Sequence, residues 1–355
     1  MGSDITIGMD MGDKNHSICV LDSDGDVLKR NTVTNTADAI RKHFSGLPAC
    51  RVALEAGTHS GWVSRLLEEL GHEVLVGNPR KLRAIWDSEE KTDTRDAEML
   101  ARIARVDPHL LYPIRQRSAE AQIDLSIIKS RDVLVRMRSS LCTHVRSMVK
   151  SQGQRIGTCS TESFHRRAIE VLPGELQVVL EPVIKSIGEI TARIRHYDTL
   201  IERISAEQNP ATRTLRAKKG VGPVTALAYH LTLESPTRFE NSRQVGAFLG
   251  LVPRRDQSGK VDKHLGITKA GNTLLRRLLV GCSQYIHGID IQCPALCSLP
   301  AGLPVHAWWF TQHEFQRHIY RTILELRIFH NQLLFPGRLA QYCIRTTLAL
   351  ADAIE

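Results

Sequence analysis

The chain has 355 residues, of which 42% are hydrophobic and 24% charged, values ordinary for a soluble globular protein of two or three domains. Its net charge of +9 favours a polyanionic partner such as nucleic acid, and aromatic residues, at 5%, are too few for a surface that binds sugars or stacks bases. Eight cysteines in a chain this long, with no signal-peptide pattern and no apolar run of membrane-spanning length, predict a protein of the reducing cytosol.

The first hundred residues predict an α/β layer built on a mixed sheet. The apolar run "ITIGMD" ends in an acid, and "HSICVLDSDGDVLKRNTV" alternates apolar and polar residues around a central turn, as a hairpin does. Helical and strand patterns then alternate, which is typical of an α/β fold. The elements predicted after the hairpin are a helix around "ADAIRKHFSGL", a strand at "RVALEA", a helix at "GWVSRLLEELGH", a strand at "EVLVGNP" and a helix at "KTDTRDAEMLARIARV".

Two long helices with coiled-coil spacing are predicted between residues 113 and 207. Apolar positions recur there at alternating intervals of four and three residues. The pattern fits an antiparallel arm that contacts a second copy, and it also fits a helix pair packed on its own domain. The first predicted seam is Ile123, Ile127, Ser130, Leu134, Met137, Leu141, His144 and Met148, and the second is Val183, Ile187, Ile190, Ile194, Tyr197, Ile201 and Ile204.

The basic charge is concentrated between residues 211 and 280. This segment carries thirteen lysines and arginines against four acids, which accounts for the whole net charge of the chain. Within it, "KKGVGPVTALAYHL" (218–231) has the Gly-x-Gly turn of a helix-hairpin-helix, whose exposed N–H groups can bind a phosphate, although such turns also occur as plain helix joins. The candidate nucleic-acid contacts are Lys218, Lys219, Gly220, Gly222, Arg254, Arg255, Lys260, Lys263, Lys269 and Arg276.

Four acids are candidates for a metal site. Asp10 and Glu55 end apolar strands, and ligands bind beyond the carboxyl ends of strands in open α/β sheets. Asp93 and Asp96 are three residues apart at a helix start and therefore project onto one face. Four grouped carboxylates require a cation, and Mg²⁺ prefers oxygen ligands and supports phosphoryl chemistry. Each acid also has an ordinary explanation, as a residue favoured at a helix N-terminus or in a turn.

The stretch "GLVPRRDQSG" (250–259) places Ser258 in the most basic part of the chain. A serine hydroxyl becomes a nucleophile only with the help of a base, a metal or an electropositive field. The neighbouring arginines and lysines can supply such a field and can neutralise a phosphate. Taken alone, these residues favour a passive serine in a type I turn.

Several of these segments together resemble one family. The motifs "IGMD", "ALEAGTHSG", "NPRKLRAIWDSEEKTDTRDAEMLA" and "GVGPVTA…FLGLVPRRDQSGK…ITKAGNTLLRR" are similar to those of the DEDD transposases of insertion sequences, a family that includes Piv-type DNA invertases and bridge-RNA-guided recombinases. The resemblance covers roughly residues 4–285. The combination of "KTDTRDA" with "GLVPRR…SG" is its most specific part.

The resemblance implies a fold and a chemistry. It implies an RNase H-like (RuvC-like) domain whose catalytic acids are Asp10, Glu55, Asp93 and Asp96, and a second domain whose nucleophile is Ser258. The implied cofactor is Mg²⁺, with Mn²⁺ as a substitute. The implied activity is cleavage and exchange of double-stranded DNA through a covalent phosphoserine, directed by a structured non-coding guide RNA and carried out by a homo-oligomer, a dimer or a tetramer, in the bacterial cytoplasm at the nucleoid.

The expected architecture is therefore α/β plus α. It comprises a RuvC-like domain (1–112), coiled-coil helices (113–207), a mostly helical serine-bearing domain with a helix-hairpin-helix (208–288) and an atypical C-terminal tail (289–355). The tail is rich in Cys, Trp, His and Phe and does not follow the family pattern, which leaves open a divergent subgroup or a disrupted reading frame. Its Cys293, Cys297, His306 and His313 could be drawn as a zinc site, but their spacing is outside the usual ranges.

Two other functions stay open at this stage. A RuvC-like Mg²⁺-dependent endonuclease of the junction-resolvase type would use the same carboxylates to hydrolyse DNA, and Ser258 would then be structural. A nucleic-acid-binding protein without catalysis would need only the basic segment. The sequence does not reveal the donor or target DNA.

Overall fold

The computed structural model of the chain describes residues 5–82, 92–172, 174–218, 220–235, 238–239, 243–258 and 261–290. The predicted zinc residues and nearly all of the atypical tail lie outside these ranges. The described chain forms two compact units, one that extends to Glu120 and one that begins at Ala121. None of its described helices combines the length and the apolar character needed to cross a membrane.

The first unit contains a five-stranded mixed sheet, as predicted. Its strand order is β3-β2-β1-β4-β5. The first three strands form an antiparallel meander, and β1, β4 and β5 run parallel to one another. The strands are β1 (Thr6–Met11), β2 (Asn15–Leu21), β3 (Val27–Thr34), β4 (Arg51–Glu55) and β5 (Glu73–Gly77), and the helices are α1 (Ala37–Phe44), α2 (Ser60–Glu69), α3 (Pro79–Leu82) and α4 (Asp93–Val106), followed by a 3₁₀ turn at Pro108–Leu111.

Helices cover the two faces of this sheet. Strand residues alternate between the faces, so Ile7 and Met9 of β1 pack with α1 and α2 in one apolar core. On the other face, Ala53 of β4 packs with Leu100 and Ala104 of α4. The sheet is therefore the middle layer of a three-layer unit.

Helix α4 lies unusually close to the sheet at Gly8 of β1. A Cβ atom added to Gly8 would lie 1.9 Å from the Ala97 carbonyl oxygen and 2.5 Å from the Ala101 backbone nitrogen. Glycine on the strand and alanine on the helix remove the side chains that would otherwise separate the two backbones. This contact fixes which part of α4 passes over β1.

The second unit contains the two long helices, α5 and α7, and several shorter ones. In chain order these helices are α5 (Ala119–Ser151), α6 (Phe164–Val171), α7 (Gly174–Arg203) with a π-helical turn at Ile204–Gln208, α8 (Thr212–Arg216), α9 (Pro223–Leu233), α10 (Arg243–Phe248) and α11 (Thr273–Asp290). One core surrounds α9, which is buried on nearly all sides, and a second lies among α5, α6 and α7.

The stripe predicted on α7 is buried within the chain, whereas the stripe that α5 buries differs in phase from the predicted one. Ile187, Ile190 and Ile194 of α7 are buried as expected. On α5, by contrast, Ile123 and Met137 are 65% and 49% exposed. The residues that α5 buries are Ala121, Leu125, Ile128, Arg138, Cys142, Val145 and Val149.

The second unit also contains a β-hairpin. Among the described residues, its strands β6 (Pro253–Ser258) and β7 (Val261–Ile267) pair only with each other, in an antiparallel two-stranded sheet. The sequence pattern predicted a polar turn here, because arginine, aspartate and glutamine are uncommon in strands. The backbone pairing of β6 with β7 forms the hairpin without apolar alternation in its sequence, which explains why the pattern did not predict it.

Candidate functional site

Asp10 and Glu55 lie at the same edge of the sheet and on the same face. The parallel strands β1 and β4 are in register from Thr6 opposite Arg51 to Met9 opposite Leu54, so Asp10 and Glu55 each follow the last registered pair. Gly8 and Ala53 face α4. Because side-chain direction alternates along a strand, Asp10 and Glu55, two residues further on, face α4 as well. Both are strand residues rather than turn residues.

Helix α4 runs antiparallel to β1, which brings its N-terminal acids to that same edge. Near the C-terminal end of α4, the Arg102 and Arg105 guanidinium groups donate to the carbonyl oxygens of Gly25 (3.2 Å) and Ser23 (3.0 Å) in the β2–β3 turn. That turn lies where β1 begins, since Leu21 pairs with Thr6. The opposite end of the helix therefore lies where β1 ends.

Asp93 and Asp96 occupy the first turn of α4. Thr92 caps the helix, and its hydroxyl oxygen accepts a hydrogen bond from the Arg95 backbone N–H at 3.4 Å. Asp93 precedes the buried Ala97 by four residues, and Asp96 precedes the buried Leu100 by four, so both acids continue the helical stripe that packs on the sheet. Asp96 is half-buried, whereas Asp93 is exposed.

The four acids are a donor set suited to a hard divalent cation. All four predicted ligands are carboxylates, and oxygen donors are what Mg²⁺ and Mn²⁺ prefer. Within the described residues, no three His, Cys, Asp or Glu side chains are close enough together to hold a metal ion. The fold thus collects the four acids at one edge of one face but leaves them apart.

A histidine pair beside this edge was not predicted from the sequence. His59, in the loop between β4 and α2, accepts a hydrogen bond from Trp62 Nε1 at 3.3 Å, and its Nε2 lies 3.5 Å from Asp13 Oδ1. The His16 ring is fully buried, 6.5 Å from the His59 ring. Burial lowers the pKa of His16, against a smaller opposing effect of Asn35. No spacing rule joins these residues, because the β1–β2 turn and the β4–α2 loop meet only in the folded sheet.

The predicted turn before α9 is present and exposed. Gly220 adopts a left-handed conformation with φ of 84°, and Gly222 is the N-cap of α9 with Pro223 at the first helical position. Lys218, whose carbonyl oxygen accepts from the Val221 N–H at 3.1 Å, is also exposed. A glycine turn with free space around it can bring a phosphate close to the backbone at the start of a helix.

The other predicted nucleic-acid contacts are differently placed. Arg254 and Lys269 are exposed at the base of the β6–β7 hairpin, and Arg255 and Lys263 lie within its strands. Arg276 is 9% exposed and donates to main-chain carbonyls. Lys219 and Lys260 lie outside the described residues.

Ser258 is the last residue of β6. Its backbone pairs with Val261 at the tip of the hairpin, and Pro253 pairs with Ile267 at the base. The serine therefore lies at the tip of the hairpin, at the end away from its base.

Comparison with known proteins gives matches over both units. A family model described as a transposase matches residues 7–153, and one described as the transposase IS116/IS110/IS902 family matches residues 212–289. The chain belongs to the IS116/IS110/IS902 family of transposases. The first matched segment contains all four candidate acids, and the second contains Ser258.

Individual family members are similar over most of their length. The chain is 28% identical to a "Probable family 20 transposase" of Pseudomonas aeruginosa over 281 residues, which is 77% of this chain and 81% of that protein. It is 26% identical to the transposase for insertion sequence element IS1328 of Yersinia enterocolitica, covering 83% and 88% of the two chains. It is 27% identical to the transposase for insertion sequence element IS1111A of Coxiella burnetii, covering 77% and 75%.

Proposed function

We propose that this chain is a DNA transposase of an insertion sequence that cuts and rejoins DNA through Ser258. The Ser258 hydroxyl oxygen attacks a DNA phosphorus, a phosphoserine ester forms, and the bond from phosphorus to one deoxyribose oxygen breaks. The serine proton is lost to a base or to solvent, and the departing oxygen is protonated to give a free hydroxyl end. Attack of a different DNA hydroxyl on the phosphoserine reverses these changes and joins a new pair of ends without hydrolysis.

The single observation that supports catalysis is the common edge of Asp10, Glu55, Asp93 and Asp96. These residues would hold Mg²⁺ or Mn²⁺ through their carboxylate oxygens. When bound there, the cation supplies positive charge that offsets the negative charge on the transferring phosphoryl group.

The distribution of basic residues supports DNA as the substrate. The exposed Lys218, Arg254 and Lys269 belong to the same unit as Ser258 and can neutralise phosphates of a bound DNA. Phosphate contacts of this kind position DNA without reading its sequence. We propose that base pairing with a structured guide RNA supplies sequence specificity, while the protein binds the nucleic-acid backbone.

Recombination joins several DNA ends, so we also propose a homo-oligomer that uses α5 and α7 as a coiled-coil arm. The exposed Ile123 and Met137 on α5 support this, since they are large apolar side chains left uncovered within one chain. We likewise propose that the turn before α9 acts as the turn of a helix-hairpin-helix.

The decisive experiment traps the serine intermediate. Full-length protein is incubated with Mg²⁺, a structured RNA transcribed from the DNA flanking its gene, and a nicked suicide DNA substrate that cannot religate. We expect a protein–DNA adduct that survives denaturation, is lost in Ser258→Ala and in Asp96→Asn, and persists in two matched controls. The controls are Ser126→Ala, an exposed serine on α5, and Asp38→Asn, an acid on α1 whose side chain is fully exposed.

One observation favours a second function, a metal-dependent endonuclease. All four candidate acids belong to the first unit, and RuvC-like hydrolysis would need nothing from the second except DNA binding. In that case Ser258→Ala would release free cut ends at the wild-type rate, and no adduct would form. The third reading, a nucleic-acid-binding protein without catalysis, fails if Asp96→Asn abolishes a DNA rearrangement that wild type performs.

A further inference from the structure

Two chain segments cross in direct backbone contact at the base of the β6–β7 hairpin. The Thr268 N–H donates to the Val252 carbonyl at 2.9 Å, and the Lys269 N–H donates to the Gly250 carbonyl at 3.0 Å. A Cβ atom on Gly250 would lie 2.0 Å from the Ala270 carbonyl oxygen, and one on Gly271 would lie 1.9 Å from the Phe248 carbonyl oxygen. The crossing therefore has no space for side chains.

Both glycines at this crossing also have left-handed backbones. Gly250 has φ of 68° and Gly271 has φ of 75°, a region that other residues adopt only with strain. Lys269, between the crossing segments and β7, has φ of 55°. The chain accepts an unfavourable conformation to bring the two segments together, which indicates that their relative position matters.

Arg276 joins the two segments from inside. Its Nη1 donates to the Leu249 carbonyl at 2.9 Å and to the Ala270 carbonyl at 2.7 Å, one acceptor on each side of the crossing. Its Nη2 donates to Thr273 Oγ1 at 3.3 Å. No carboxylate of the described residues pairs with it. A charged donor that bridges two carbonyls is a stronger tie than a neutral one.

We propose that Arg276 is a positioning residue for Ser258, an inference that rests on the proposed function. The hairpin pairs with no other strand in the part of the chain that the structure describes, and an isolated two-stranded ribbon is only marginally stable. Its direction must therefore be set at its base. Strand β6 extends over roughly 17 Å, so a rotation of about 10° at the base would move the tip by roughly 3 Å. A misplacement of about 1 Å is enough to slow a reaction roughly 100-fold.

The neighbouring Arg277 shows that not every basic residue of α11 contacts the base of the hairpin. Arg277 has a side chain that is 50% exposed, and it pairs with Asp132 of α5. Arg276, which the sequence grouped with the phosphate contacts, instead directs its guanidinium into the protein. The two adjacent arginines are a matched pair in which only one contacts the hairpin base.

The test compares Arg276→Ala, Arg276→Lys and the control Arg277→Ala in the full-length protein. Three quantities are measured: the affinity for DNA at several salt concentrations, the rate of adduct formation at saturating DNA, and hydrogen exchange of the Thr268 and Lys269 amides. For Arg276→Ala we expect unchanged affinity and salt dependence, an adduct rate lowered roughly 100-fold, and faster exchange of both amides. Arg276→Lys should give an intermediate rate, and Arg277→Ala the wild-type rate.

Each other outcome overturns the proposal. A weaker affinity with a shallower salt dependence in Arg276→Ala would identify a phosphate contact, and an unchanged adduct rate would exclude positioning. If Arg276→Ala does not fold, a folded Arg276→Lys with the wild-type rate and exchange also excludes it. If the wild type forms no adduct, the serine mechanism fails, and amide exchange alone then decides whether Arg276 holds the hairpin base.

Discussion

At the scale of single residues, alternate positions on β1 divide structural and chemical roles. Ile7 and Met9 point into the core shared with α1 and α2, while Gly8 and Asp10 face α4. Gly8 permits α4 to approach, and the approach carries the first turn of α4 to the edge that Asp10 occupies. A residue without a side chain thus determines where two of the four acids lie.

Replacing Gly8 by alanine should separate α4 from the sheet. The new Cβ would overlap backbone atoms of Ala97 and Ala101, which cannot rotate away. We expect the free energy of unfolding to fall by about 1–3 kcal/mol, measured by urea denaturation followed by circular dichroism. Adduct formation should fall further than stability alone explains, because Asp93 and Asp96 move with the helix.

The matched control for this change is Gly57→Ala. Gly57 has no atom within 4 Å of the position a Cβ would take. Its substitution should leave both stability and adduct rate near wild type. Equal stability of the two variants would contradict the close contact between α4 and β1.

At the scale of elements, α5 and α7 differ in how well periodicity determined their buried faces. From Leu180 onward, the apolar residues of α7 are nearly confined to one stripe, so spacing and phase agree there. Helix α5 carries apolar residues on more than one face, and the same four–three spacing can be started at Ile123 or at Ala121. Packing against α9 at one end and against α6 and α7 at the other selects the second phase.

The phase of α5 can be tested by a pair of substitutions. Ile128→Ala should lower the free energy of unfolding by about 2–5 kcal/mol, because Ile128 is 1% exposed and truncation leaves a cavity. Ile123→Ala should change it by less than about 0.5 kcal/mol, because that side chain is 65% exposed. Denaturation is measured at low protein concentration, so that contacts between copies do not contribute. If Ile123→Ala lowered the free energy of unfolding more than Ile128→Ala, the buried stripe of α5 would be the one predicted from the sequence.

At the scale of the whole molecule, charge and carboxylates are separated. The four candidate acids belong to the first unit, and the basic segment that accounts for the net charge of +9 belongs to the second. A polyanion is therefore attracted to the second unit, which carries the positive charge.

The salt dependence of DNA binding tests this distribution. The double variant Lys218→Gln with Lys269→Gln should reduce the slope of log affinity against log salt by about 2, since each lost phosphate contact removes about 0.9. Fluorescence anisotropy at several salt concentrations measures it. The control, Lys129→Gln with Lys185→Gln, removes the same charge from exposed positions on α5 and α7 and should leave the slope nearly unchanged. An equal reduction in both would show that net charge, not location, governs binding.

The sequence by itself determined the succession of strands and helices along the first unit, the acids that end β1 and β4, the apolar stripe of α7 and the location of the basic charge. These features follow from local alternation, spacing and composition, which need no knowledge of distant contacts. The motifs around Asp93 and Ser258 also indicated a transposase family, and the transposase family models match the two segments that contain these residues.

Only the tertiary structure decided which acids share a face, which phase α5 adopts, that "PRRDQS" is a strand, and that Arg276 is buried while Arg277 is not. Each of these depends on a partner far away along the chain: Ala97 for Gly8, α9 for the start of α5, β7 for β6, and the Leu249 carbonyl for Arg276. Local periodicity restricts a side chain to one stripe of a helix or one face of a strand. The close approach of backbone segments that are far apart along the chain determines which residues pack against that stripe or face.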